Sequence, residues 1–232
     1  MSKISVLKDG SDRRRLLTFA VAAAAIASVP GGAFARDKHH SKAGSSESNK
    51  TPNVKTVQTA AVLRDLWIGH IFWVRNVSVA TIDKNELAAG AAEQQAVVNA
   101  KAIAASIEPF YGEAAREAFF KLLAGHYGAV KAYLAATVAA NVSAQQTATQ
   151  SLTSNAEEIA VFLNKANPYL PKDAVQGLLL AHGGHHIQQI QQLKDRNYKA
   201  EAQTWEEMTA HVYKIADATA DALARQFAKR FA

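Results

Sequence analysis

The sequence predicts an all-α protein, an up-and-down antiparallel bundle of about six helices around a four-helix core. Three observations predict it. From Val54 onward apolar residues recur at 3.6-residue spacing, and no stretch alternates as a strand does. Alanine is abundant, whereas the 232 residues hold only 12 Gly and 5 Pro, as helices prefer. Hydrophobic residues make up 49% and charged residues 20%, which is enough apolar material for a packed core. That balance, with no cysteine, excludes a disordered chain, a collagen and a disulfide scaffold.

Residues 1–35 are expected to be a secretory signal peptide. Lys3, Lys8, Arg13, Arg14 and Arg15 form a basic start, and Leu16 to Val29 is an apolar run of 14 residues. Pro30, Gly31 and Gly32 break the run, and Ala33-Phe34-Ala35 offers a small-x-small cleavage site before Arg36. The run is shorter than the roughly 20 residues a membrane span needs, so no stable span is expected after cleavage. Asp12-Arg13-Arg14-Arg15-Leu16-Leu17 resembles the twin-arginine export signal, with Leu16 and Thr18 where Phe and Lys are commoner. A general secretory signal is the alternative. Either implies export machinery as a partner and a periplasmic or secreted protein. The twin-arginine route carries folded proteins, often with a cofactor already bound.

Residues 36–53 read as a flexible linker, with serines, Lys38, Lys42 and His39-His40 but no apolar period. The formal charge of +6 divides evenly, +3 in residues 1–35 and +3 in the remaining 197. With no Lys/Arg block after Arg36, a nucleic-acid partner is not expected.

Residues 54–232 form the helical domain. The first helix is expected over about 54–82. Asn85 caps a second over about 86–108, ending near Pro109. A third follows the Phe110-Tyr111-Gly112 turn, about 112–140. The fourth is expected over about 143–165, with Ser154-Asn155-Ala156-Glu157 as a capping box that can restart it. Pro171, after the Asn167-Pro168 turn, is placed at the first position of a fifth helix ending near Asp195. The sixth runs over about 199–230. Short connections favour antiparallel neighbours. No repeat, coiled-coil heptad run or second domain is visible.

The chemistry lies in the histidines, six of the eight being in the helical part. His70 falls on the stripe of Leu63, Leu66 and Trp67, His126 on that of Phe119, Leu123 and Val130. His182 and His186 fall with Val175, Leu179 and Ile190, and His211 with Met208, Val212 and Ile215. Each is on a face that a bundle buries. All lie near mid-helix, so four helices are expected to point imidazoles into one layer. The candidate metal ligands are therefore His70, His126, His182, His186 and His211, with His211 as a further ligand or an outer support. His182 and His186, four apart, share one helical face and can bind one ion together. Imidazole without thiolate suits Zn, Cu, Ni or Fe. His185 points about 100° away from His186 and is not expected to ligate.

Gly183 and Gly184 cost the helix about 1 kcal/mol each relative to Ala, which calls for close packing or room for a ligand. Glu207, one turn before His211, is a candidate ligand or hydrogen-bond support, and Glu93 is the most inward acid of the second helix. Asp65 and Asp217 read as surface or salt-bridge groups. Arg75 reads as a surface arginine, a buried charge with an acidic partner being the alternative. The two Glu-x-x-His pairs of a carboxylate-bridged di-iron bundle are absent, as are Walker, dinucleotide, nucleophile-elbow and covalent c-type haem motifs.

His182-Gly183-Gly184-His185-His186-Ile187-Gln188-Gln189-Ile190 resembles the H-x-x-H-H-x-x-Q-I helix of DinB/YfiT-type four-helix bundles. That resemblance implies a divalent metal held by His182 and His186, with His70 or His126 as third ligand. Leu66-Trp67-Ile68-Gly69-His70-Ile71-Phe72-Trp73-Val74-Arg75, with Ile107-Glu108-Pro109-Phe110-Tyr111-Gly112 and Asn155-Ala156-Glu157-Glu158-Ile159, is similar to a group of exported bacterial helical proteins. It implies the same fold and no particular activity. The expected function is thus a periplasmic bundle that binds a transition metal as a binding or carrier protein, with no catalysis identified. A small-molecule or protein partner is left open. The alternatives are a structural or interaction bundle with packed core histidines, and non-covalent haem binding.

Overall fold

The computed structural model describes residues 53–232. The signal peptide and all but the last residue of the linker lie outside them. Six long helices, α1 (Val54–Ile82), α2 (Glu86–Ala105), α4 (Glu113–Val138), α5 (Val142–Ala166), α6 (Lys172–Lys194) and α7 (Tyr198–Gln226), are joined by short turns. Two single-turn helices, α3 (Glu108–Tyr111) and α8 (Ala228–Phe231), complete the described residues. No helix among them is long and apolar enough to cross a membrane.

The bundle is built from three consecutive hairpins, α1–α2, α4–α5 and α6–α7. The second helix of each packs on the first helix of the next, and α7 closes back on α1. The first helices, α1, α4 and α6, also meet one another, so three helices rather than the expected four surround the centre.

The hairpins are copies of one unit, which corrects the expectation of no repeat. The same residue type stands at a constant offset in Leu66/Leu122/Leu178, His70/His126/His182, Asn85/Asn141/Asn197 and Ile103/Ile159/Ile215. The geometry follows the register. Lys84, Ala140 and Arg196 take the left-handed conformation with φ of 58°, 53° and 54°. In each turn the next residue is an asparagine whose backbone N–H donates back to Ala80, Ala136 or Gln192 at 2.8–2.9 Å. These bonds satisfy the last carbonyls of the preceding helix. The side chains of Asn85, Asn141 and Asn197 then accept from the backbone N–H of Ala88, Ala144 and Ala200 and cap the following helix.

A second set of bonds ties each hairpin together. Asn99 Nδ2 donates to the Leu66 carbonyl at 2.9 Å, and Asn155 Nδ2 to the Leu122 carbonyl at 3.0 Å. In the third hairpin His211 replaces the asparagine, and its Nε2 donates to the Leu178 carbonyl at 2.8 Å. Asn155 is therefore a cross-link between helices and not a cap, and α5 runs unbroken through the expected capping box. The close approach needs a residue without a side chain at Gly69, where a Cβ would lie 2.7 Å from Asn99 Nδ2.

Other boundaries moved slightly. α2 stops at Ala105, because Pro109 opens its own turn in α3, and Gly112 at φ 83° lets α4 start afresh. Pro171 caps α6 from one position before it. Apolar clusters fill the bundle at both ends of the central helices. One includes Phe119, Leu123, Ile159, Val175 and Leu179, and another Val74, Val130, Tyr133 and Ile190. The histidine layer lies between them.

Candidate metal centre

His70, His126 and His182 each precede their turn asparagine by the same number of residues, on three central helices that run in one direction. The repeat therefore sets them at one height, facing the axis. His186, one turn after His182, joins them from a position that Val74 and Val130 occupy in the other hairpins. The four side chains are buried, with exposures of 1–6%. One ring nitrogen from each lies within 4.8 Å of all the others. The His182 and His186 Nε2 atoms are 3.2 Å apart. That matches the roughly 3.3 Å separation of two nitrogens bound at about 2.05 Å to a tetrahedral ion. Trp67 stands edge-on to His70 and His182, with centroids 5.7 and 5.6 Å away, and limits their rotation.

Burial governs the protonation of the cluster. It lowers His70 to about 3, with His126 adding to the effect, and lowers His126 to about 4. His182 and His186 are also pushed well below the usual histidine value, by burial first and then by neighbouring imidazoles. At neutral pH all four are uncharged, the form that carries a lone pair for a metal.

The hydrogen-bond inventory is incomplete in a particular way. His70 Nε2, His126 Nε2 and His182 Nδ1 are buried without a partner. Core histidines are ordinarily hydrogen-bonded, and each orphaned buried nitrogen costs roughly 1–3 kcal/mol. An ion that takes a lone pair from His70 Nε2 and His126 Nε2 accounts for two of these atoms, whereas His182 turns its Nε2 to the cluster and its Nδ1 lies on the other side of the ring.

The remaining candidates lie elsewhere. His211 stands outside the cluster, because its Nε2 is engaged with the Leu178 carbonyl and its ring lies 5.4 Å from that of His185. It does the work of Asn99 and Asn155, so three helices rather than four supply the imidazoles. Glu207 is exposed and accepts from Gln203 instead of supporting a ligand. Glu93 pairs with Lys131, and Asp217 forms two hydrogen bonds with Arg64. Neither glycine is required by close packing, since a Cβ at Gly183 would meet Leu152 of α5 at an ordinary 3.9 Å and Gly184 faces open space.

Arg75 has the buried partner that was the lesser expectation. It forms two hydrogen bonds of 2.6 and 2.8 Å with Glu201, whose side chain is 4% exposed and also accepts from Gln189. Sequence reasoning missed Glu201, since an acid in the first turn of a helix reads as a solvated group. It also missed an apolar cavity of about 120 Å³ beside the histidines. The signal for the cavity was present in the apolar residues one and two turns before each histidine.

Compared with protein-family models, with curated proteins and with solved structures, the chain matches none of them.

Proposed function

We propose that the protein binds one transition-metal ion through His70, His126, His182 and His186, and acts as an exported metal-binding or carrier protein. The observation that carries this reading is the convergence of four buried, neutral imidazoles, with His70 Nε2 and His126 Nε2 lacking any other partner. All four donors are nitrogen, which suits Zn, Cu, Ni or Fe and disfavours Mg or Ca. The likeness of the α6 motif to the DinB/YfiT metal helix supports the same ligand pair. The arginine-led start supports export, the twin-arginine route being suited to a chain folded around its ion in the cytoplasm.

A core-histidine bundle without metal accounts for the burial but leaves His70 Nε2 and His126 Nε2 without a partner. A tetrapyrrole fits less well, because the donors converge on a point and the adjoining cavity of about 120 Å³ is much smaller than the macrocycle.

Thermal unfolding of chelator-treated protein with added Zn²⁺, Cu²⁺, Ni²⁺ or Fe²⁺ tests the reading. An ion at a hundred times its Kd stabilises by about 2.7 kcal/mol, which raises Tm by roughly 5–10 °C for a domain of this size. The account expects that rise with at least one metal, and its loss in His126→Ala. No rise with any of them would count decisively against a metal site.

A further inference from the structure

The cavity beside the histidines has an orientation. His70, His126 and His182 line it, whereas His186 does not. His186 stands one turn further along α6, on the other side of the three rings. An ion held by the four therefore has His186 behind it and the cavity in front. The far walls repeat around the axis, with Leu63, Phe119 and Val175 from the central helices and Ile103, Ile159 and Ile215 from the outer ones. Among the described residues no lysine, arginine, aspartate or glutamate lines it.

The charge of the centre selects the ligand. Four neutral imidazoles leave a divalent ion with its full charge in an apolar interior, and no carboxylate among the described residues belongs to the cluster. An anionic donor on the open face removes part of that cost. The walls are mostly apolar, with Ser106, Tyr169 and Thr219 as their uncharged polar members, and suit an apolar tail behind such a donor. The volume of about 120 Å³ is slightly below the roughly 150 Å³ of an apolar cavity that binds benzene.

Resting on the metal reading above, we propose that the cavity holds the tail of a short aliphatic monocarboxylate, with its carboxylate on the face of the ion opposite His186. The tail that fits has about four to six carbons. The carboxylate adds to the four nitrogens as a fifth donor, and no bond of the carboxylate is broken.

Co²⁺-loaded protein tests this, because the visible absorption of the ion reports both its presence and its donors. Acetate, butyrate, hexanoate and decanoate are titrated in turn. The proposal expects a shifted cobalt spectrum and an affinity that rises up to about fourfold per added methylene to hexanoate. Decanoate, too long for the cavity, binds more weakly than hexanoate. Ala218→Phe, at a half-buried cavity position, keeps the cobalt bands and loses the gain with chain length. A second filling variant, Leu179→Phe, is expected to behave alike. If either fails to fold, the wild-type series decides alone. Bound cobalt with an unmoved spectrum, or acetate binding as tightly as hexanoate, overturns the cavity proposal and leaves the metal centre standing. If cobalt does not bind but one of the other metals does, the same carboxylate series read as Tm of that metal-loaded protein decides; no binding of any metal overturns both.

Discussion

Acid should unfold the metal-free protein, and the histidine layer sets the size of the effect. An unfolded histidine titrates near 6.5, whereas His70 and His126 in the folded chain are lowered to about 3 and about 4 by burial. Above about pH 7 neither state binds a proton there, and stability is independent of pH. As pH falls below 6.5 the unfolded chain takes up protons that the folded chain refuses, so stability falls. The loss continues until the folded values are reached, near 4 and 3, and then levels off.

At about pH 5 the unfolded state gains roughly 2 kcal/mol per histidine, from 1.5 pH units at 1.36 kcal/mol each. His70 and His126 together then cost about 4 kcal/mol. His182 and His186 shift in the same direction and add to it. A domain of about 180 residues loses roughly 2–4 °C of Tm per kcal/mol. Circular dichroism melts of chelator-treated protein should therefore show Tm falling by at least about 8 °C between pH 7.5 and 5. A Tm constant within about 3 °C over that interval would refute the assignment of four buried neutral imidazoles.

Several other outcomes are expected from the same geometry. Gly69→Ala drives a methyl into Asn99 Nδ2 at 2.7 Å and strains its bond to Leu66, costing about 1–3 kcal/mol in chemical denaturation. Gly125→Ala, whose Cβ meets Asn155 Nδ2 at 3.1 Å, costs less, and the reverse order would contradict the repeat geometry. Glu201→Ala leaves Arg75 and Gln189 without their acceptor, and a loss of about 2–4 kcal/mol is expected, since Arg75 is a third exposed. His186→Val installs the residue type of the other two hairpins. It should fold with a Tm within a few degrees of the parent while metal affinity falls on the order of tenfold or more in calorimetric titration.

Much of this was legible in the sequence, for identifiable reasons. Helices α1, α6 and α7 follow from apolar periodicity, and the starts of α2 and α6 from Asn85 and Pro171, which are local signals. His182 and His186 follow from their spacing alone. His70 and His126 follow from lying on apolar stripes, but that rule also selected His211. The difference between His211 and the others is not on its own helix. It lies in the hairpin register, which puts His211 as far after Leu178 as Asn99 is after Leu66. Seeing this required the repeat, and the repeat is faint because the hairpins share few residues: the leucine carbonyl site, the histidine, the turn asparagine, the buried isoleucine and the alanines Ala88/Ala144/Ala200 and Ala104/Ala160/Ala216. Helix packing tolerates change nearly everywhere else. Glu201 was hidden for a related reason, since its burial comes from Arg75 and Gln189 on two other helices.

The most direct test of the central claim is the metal content of the mature chain, exported and purified without chelator or affinity tag. The account predicts about one equivalent of a transition metal per chain. The ion should be lost in His182→Ala/His186→Ala and retained in His211→Ala, because His211 ties α7 to the Leu178 carbonyl and touches no ligand of the cluster. No stoichiometric metal in the parent protein, or equal loss in the His211 variant, would contradict it.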